Sequence, residues 1–151
     1  MIDDEYIVRE EVWEKYGVFL DMASDKKLVM ELNLADKGIA DLTPLAKLTS
    51  LTKLDLYKNQ ITDLTPLTML VRLEELGLGS NQITDLTPLA GITKLKELRL
   101  YLNDITDLTP LAGLKKLEGL NLEDNPNLTK PEIEKLNKLL PKCKITHNAT
   151  M

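Results

Sequence analysis

Leucine and isoleucine return along this chain at a fixed interval of 22 residues. The copy spanning 51–72 reads LTKLDLYKNQITDLTPLTMLVR, with apolar side chains at Leu54, Leu56, Ile61, Leu64, Leu67 and Leu70. The same places are filled by Leu76, Leu78, Ile83, Leu86, Leu89 and Ile92 one period later, and by Leu98, Leu100, Ile105, Leu108, Leu111 and Leu114 after the next. Val29, Leu51, Leu73, Leu95 and Leu117 open the successive copies, without insertion or deletion between them. A period of this length builds a solenoid, in which each unit buries its apolar face only against its neighbours.

Within a copy, Leu at positions 4 and 6 alternates with variable residues, the period of a short half-exposed strand. Strands are therefore expected to begin near residues 31, 53, 75, 97 and 119, with a half-repeat strand after them. Positions 11, 14, 17 and 20 are spaced by three, which suits a 3₁₀ or similar turn leading back to the next strand. Thr43-Pro44, Thr65-Pro66, Thr87-Pro88 and Thr109-Pro110 fit its start, with Thr capping free N–H groups and Pro at the first helical place. Asn59, Asn81, Asn103 and Asn125 fall where the strand ends in a bend, and an amide there serves backbone groups left unpaired. Lys37 takes that place in the first copy, so this end of the ladder is expected to be less regular.

The recurring LxxLxLxxNxI followed by TDLTPLxxL resembles the leucine-rich repeat family, in the 22-residue class of bacterial internalins and of a type-1 phosphatase regulatory subunit. The likeness covers roughly residues 28–145. It implies an α/β solenoid with parallel strands on a concave face and short turns on a convex one. It also implies protein recognition, usually through the concave strands; a particular partner does not transfer with a fold.

A solenoid exposes apolar surface at both ends, so caps are expected at 1–28 and 129–151, flanking repeats over 29–128. Thr129-Lys130-Pro131-Glu132 has capping-box spacing, Ile133, Leu136 and Leu140 share one helical face, and Pro141 ends that helix. Leu140, Cys143 and Ile145 continue as a half-repeat strand, followed by a loose tail from about Thr146. At the other end, Val8, Val12 and Tyr16 have helical spacing, in a segment that also holds Trp13 and Phe19. A cap over the first layer is preferred there to a separate aromatic binding surface.

Net charge is −5, unevenly spread. Residues 1–27 carry eight acids and four bases, whereas 129–151 carry five lysines and two glutamates. No basic face suits phosphate neutralisation, so nucleic acid is not an expected partner. The expected state is a monomer, the opposite charge of its ends permitting only weak head-to-tail contacts. No apolar run approaches membrane-spanning length and the chain starts on a charged segment, which points to the cytoplasm, or to secretion if a signal peptide has been removed.

Candidate chemistry is sparse. The only His, His147, stands four residues from the only Cys, Cys143, but a reactive pair needs an exposed thiolate held against the imidazole, and a core Cys is the preferred reading. Gly77-Leu78-Gly79 lies inside a strand and lacks the remainder of a phosphate loop. Asp41, Asp63, Asp85 and Asp107 form a column that could attract Ca²⁺, yet they recur in step with the turns, and turn capping without metal is preferred. No cofactor and no catalytic residue is expected; the chain reads as a non-enzyme.

Specificity must therefore sit where the copies differ. Position 5 reads Asn33, Asp55, Gly77, Arg99, Asn121; position 7 reads Ala35, Tyr57, Gly79, Tyr101, Glu123; position 8 includes Lys58 and Leu102. Two tyrosines flanking a glycine are expected to leave a notch about two strand spacings of ~4.8 Å wide. Tyr and Arg are frequent interface anchors, and Gly admits close approach. Asp55, Tyr57, Lys58, Gly77, Gly79, Arg99, Tyr101 and Leu102 are the candidate partner-binding residues. A regulatory subunit of a phosphatase or other enzyme, and an engineered consensus-like scaffold without a natural ligand, are the alternatives to a simple recognition module.

Overall fold

The computed structural model describes residues 30–150, and the expected aromatic cap over 1–28 lies outside the described residues. Six three-residue strands follow one another: β1 (Glu31–Asn33), β2 (Lys53–Asp55), β3 (Glu75–Gly77), β4 (Glu97–Arg99), β5 (Gly119–Asn121) and β6 (Lys144–Thr146). They form one parallel sheet in sequential order. Leu32, Leu54, Leu76, Leu98, Leu120 and Ile145 stand in a single register column. The first four steps are 22 residues; the last is 25, because a helix replaces the turn. Strands begin at the expected places.

Between strands the chain returns through 3₁₀ turns at Thr43–Leu45, Thr65–Leu67, Thr87–Leu89 and Thr109–Leu111. The spacing by three places Ile61, Leu64, Leu67 and Leu70 all at 1% exposure or less. Each such leucine contributes on the order of 1.5–3 kcal/mol through burial, and the layers join into one continuous core.

The start of each turn differs from the expectation that Thr caps it. Leu42, Leu64, Leu86 and Leu108 occupy the cap positions and make no side-chain cap bond. The acceptor is instead the Asp two residues before Thr: Asp41, Asp63, Asp85 and Asp107 each take the Thr N–H at 2.9 Å. Pro follows as the second helical residue rather than the first. In the first of these turns Leu45 N–H donates to Leu42 and Ala46 N–H to Thr43, so Pro44 sits at the one place whose donor would have had no partner.

The asparagines tie neighbouring copies together. Asn81 Nδ2 donates to the carbonyls of Leu56 and Leu78 at 3.0 and 3.1 Å, and its Oδ1 accepts the Ile61 N–H at 3.0 Å. Asn59, Asn103 and Asn125 repeat the arrangement, and all four are buried. At the first copy Lys37 cannot do this, and the chain turns instead through Gly38 at φ +66°, the irregularity expected there.

The C-terminal helix α1 (Lys130–Leu139) starts on Thr129, whose hydroxyl accepts the Glu132 N–H at 3.4 Å. Ile133, Leu136 and Leu140 are buried against the last layer. The tail is tied down rather than loose. At position 8 of the earlier copies the N–H donates to a carbonyl of the next strand, as Leu102 does to Glu123. No further repeat lies beside Asp124 among the described residues, and the Asn148 amide accepts its N–H instead, at 2.8 Å. Among the described residues no helix is long and apolar enough to cross a membrane.

Candidate functional site

The exposed face of the sheet is built from the odd positions of each strand, and its local chemistry follows from position 5. Asn33, Asp55 and Asn121 each use Oδ1 to accept the N–H two residues on, at 3.0 Å. This bond stiffens the strand exit. Gly77 has no side chain and Arg99 no acceptor, so the two copies that depart from the pattern are adjacent in register. What they gain is space and a cation in place of a structural bond.

Neighbouring side chains close over the two glycines of β3 and its exit. A β-carbon added to Gly77 would stand 2.9 Å from Asp55 Oδ1. One added to Gly79 would stand 2.5 Å from Tyr101 Cζ and 2.7 and 2.8 Å from the two Cε atoms. Three nearly equal distances mean that the ring lies face-on across the glycine. Its centroid is 6.0 Å from that of Tyr57, with the planes tilted by 41°. The expected open notch is therefore filled: an aromatic ring gains more contact lying on bare backbone than standing in water. Tyr101 is partly buried, and burial, reinforced by Tyr57 and Asp55, pushes its phenol up from its ordinary value while Arg99 opposes the shift.

The eight sequence-derived candidates lie on the neighbouring strands β2, β3 and β4 and on the exits of these strands. Asp55, Gly77 and Arg99 line a depression of about 360 Å³ together with Glu31, Lys53 and Glu75. Tyr57, Gly79 and Tyr101 form the stacked group beside it. Lys58 points to Asp36 at 3.6 Å, an exposed pair worth little. Leu102, next to Tyr101, also lines a hollow of about 680 Å³ with Pro126, Leu128, Asn148 and Ala149.

Position 8 also carries a backbone feature that its residue types conceal. Asp36, Lys58, Ser80, Leu102 and Asp124 all have φ of 55–57°, in the left-handed region. Polar residues tolerate that conformation better than a bulky apolar one. Leu102 adopts it while 47% exposed, so neither packing nor backbone preference explains its choice.

Two features escaped the sequence reading. Glu97 folds its carboxylate over Gly119. Met69 and Val71 are 64% and 47% exposed on the turn side, where other copies place Lys or Gly and Thr or Lys. The departures of Met69 and Val71 are legible at positions 19 and 21 of the repeat, as those of Tyr57 and Tyr101 are at position 7.

Cys143 is buried, and burial pushes its thiol up, away from an activated thiolate. His147 is exposed, and its Nδ1 accepts the Ala149 N–H at 3.3 Å. Among the described residues no cluster of His, Cys, Asp or Glu is arranged to hold a metal ion.

A parallel sheet of single-turn repeats with an amide ladder defines the class of protein. The family profile described as leucine-rich repeats (two copies) matches residues 31–69, 49–91 and 71–111, and the chain belongs to that family. Its fold is similar to an internalin of Listeria monocytogenes, at 30% identity and a TM-score of 0.76 over 95% of this chain and 44% of that one. Internalin C2 of the same organism matches at 35% identity and TM-score 0.71, over 80% of this chain and 52% of its own. A leucine-rich repeat protein of Leptospira interrogans matches at 33% and 0.64, over 77% and 36%. The chain thus spans about half or less of the length of these structures. No curated protein matches the chain significantly. Leucine-rich repeat proteins are typically protein-interaction modules.

Proposed function

We propose that the chain is a non-enzymatic recognition module that binds a protein partner on the concave sheet face. The contact would be centred on Asp55, Tyr57, Gly77, Gly79, Arg99 and Tyr101, with Lys58 and Leu102 at its rim. The observation that carries this reading is the Tyr101 ring lying on Gly79 beside Tyr57. These residues break the repeat where the core does not, so folding alone does not dictate them. A preplaced aromatic pair also loses little conformational freedom on binding. Residence in the cytoplasm is the accompanying proposal; fractionation of the source cells tests it.

The recognition reading is tested by capture from a lysate of the source organism, with the wild-type chain, Tyr101→Ala and the turn-side control Lys94→Ala compared. A partner retained by wild type and Lys94→Ala, and lost from Tyr101→Ala, supports the reading. Equal retention by all three, and by a Tyr57→Ala/Arg99→Ala double variant, rules out this face. Co-capture of an active enzyme would favour the regulatory-subunit alternative.

A further inference from the structure

The sheet face has a charge balance that specifies more than a generic protein contact. Repeat positions 3, 5, 7 and 8, together with Lys144 of β6 in the same column as Gly119, carry seven carboxylates against four cations. Two of those cations are already committed: Lys53 lies 3.8 and 3.7 Å from Glu31 and Glu75, and Lys58 lies 3.6 Å from Asp36. The face therefore attracts positive charge from a distance.

At its centre the local geometry is selective. The inner face of Tyr101 is spent on Gly79 and the ring as a whole is half-buried, so the surface it keeps in solvent belongs to its opposite side. Tyr57, 38% exposed and tilted by 41°, forms a second wall. Asp55 covers Gly77, two residues before Gly79 on the same chain segment, or roughly 7 Å along it. Its Oδ1 is engaged by the Tyr57 N–H, whereas Oδ2 makes no bond among the described residues. A π face with a carboxylate oxygen beside it suits a flat cation that stacks and donates from its edge. That is a guanidinium rather than an ammonium.

We propose that this site takes an arginine side chain of the partner, stacked on Tyr101 against Tyr57 and hydrogen-bonded to Asp55. The proposal rests on the recognition reading above and names the partner's chemistry: a basic segment presenting arginine. Arg99, which makes no ion pair among the described residues, flanks the site and meets an acidic neighbour of that arginine.

The test uses three fluorescein-labelled peptides in which arginine, lysine or glutamate alternates with glycine, titrated by anisotropy against the full chain at low and physiological salt. The arginine peptide is expected to bind, the lysine peptide to bind about threefold more weakly, and the glutamate peptide not at all. Tyr101→Ala and Asp55→Asn are each expected to weaken the arginine peptide about five- to tenfold, and Lys94→Ala not to weaken it. Asp55→Asn keeps an oxygen for the Tyr57 N–H, so its effect reports charge and not folding. Absence of arginine-peptide binding, or equal affinity in Asp55→Asn, overturns the proposal. So does tighter binding of the glutamate peptide that is lost in Arg99→Ala; that outcome would leave sheet-face recognition standing, which fails only if partner capture is indifferent to Tyr101 and to the Tyr57/Arg99 pair.

Discussion

Glu132 reaches out of the capping helix to Leu108, its Oε1 accepting the backbone N–H at 3.0 Å across 24 residues. The capping-box spacing predicts that this carboxylate folds back onto its own helix start. Only the Thr129 half of that box is made, and Glu132 instead fastens α1 to the last 3₁₀ turn. Glu132→Ala leaves a part-buried donor unpaired and is expected to cost about 1–2 kcal/mol, with Glu132→Gln losing less. Urea unfolding of the two variants measures the difference, and hydrogen exchange should show the Leu108 amide losing protection in the alanine variant alone. Unchanged protection at Leu108 would count against the contact.

The asparagine ladder is expected to be the most sensitive polar element. Asn81→Ala removes the acceptor of Ile61 N–H and the donor to the Leu56 and Leu78 carbonyls at once, all in buried surroundings. Its cost should reach about 3 kcal/mol or more. Chemical denaturation of Asn81→Ala checks this, and a loss below about 1 kcal/mol would show that water replaces the amide.

The repeat pattern revealed the solenoid because periodicity is a property of the chain itself: each Leu at positions 4 and 6 is buried by its copies one period away. The helix face of Ile133, Leu136 and Leu140 was legible for the same reason. Contacts that reach sideways were not. Whether Tyr101 stands beside Gly79 or lies on it depends on the separation of two strands and the tilt of Tyr57, which spacing does not encode. The left-handed turn at position 8 was equally hidden, because Lys58, Ser80 and Leu102 have no shared residue preference, and it recurs even at Asp36, whose copy has Lys37 in place of the asparagine. The tie from Asn148 to Asp124 breaks the 22-residue period, so no periodic comparison would find it.

The Asp column gives a pH signature. Asp63, Asp85 and Asp107 are held below the ordinary value of 3.8 by hydrogen bonds from the hydroxyl and N–H of the Thr two residues on. A carboxyl depressed by folding stabilises the native state fully above its unfolded value, and loses that contribution as pH falls through the folded one. Asp85→Ala should therefore lower the melting temperature at neutral pH, with the gap to wild type closing as the pH falls below the ordinary carboxylate range. Asp85→Asn, which still accepts from Thr87, should lie nearer to wild type at neutral pH. A Ca²⁺-dependent rise in melting temperature that Asp85→Asn abolishes would contradict turn capping as the role of this column.

Gly79→Ala tests the stacked tyrosine without touching it. The added methyl must displace the Tyr101 ring, so the Tyr57–Tyr101 contact at 6.0 Å should open. Loss of the ring-to-ring nuclear Overhauser effects, with a cost of about 1 kcal/mol, is the expected result. Retained ring contacts would mean that the platform does not depend on bare backbone.

Leu102 separates folding from recognition at a single residue. Its φ of 56° places a bulky side chain in a conformation unfavourable by roughly 1–2 kcal/mol for L-residues. Nearly half of its surface remains exposed, so burial returns little of that cost. Leu102→Asn should therefore raise stability by about 0.5–1 kcal/mol, since asparagine enters this region readily and its amide is well solvated. The Leu102 N–H bond to Glu123 is a backbone contact that the substitution leaves intact. If the rim residue serves binding, the same variant should hold the captured partner less tightly while melting at a higher temperature. That opposition is the decisive reading, because a merely structural leucine would show no loss of binding. A variant that is both less stable and equally well bound would refute the backbone argument and the placing of Leu102 at the contact together.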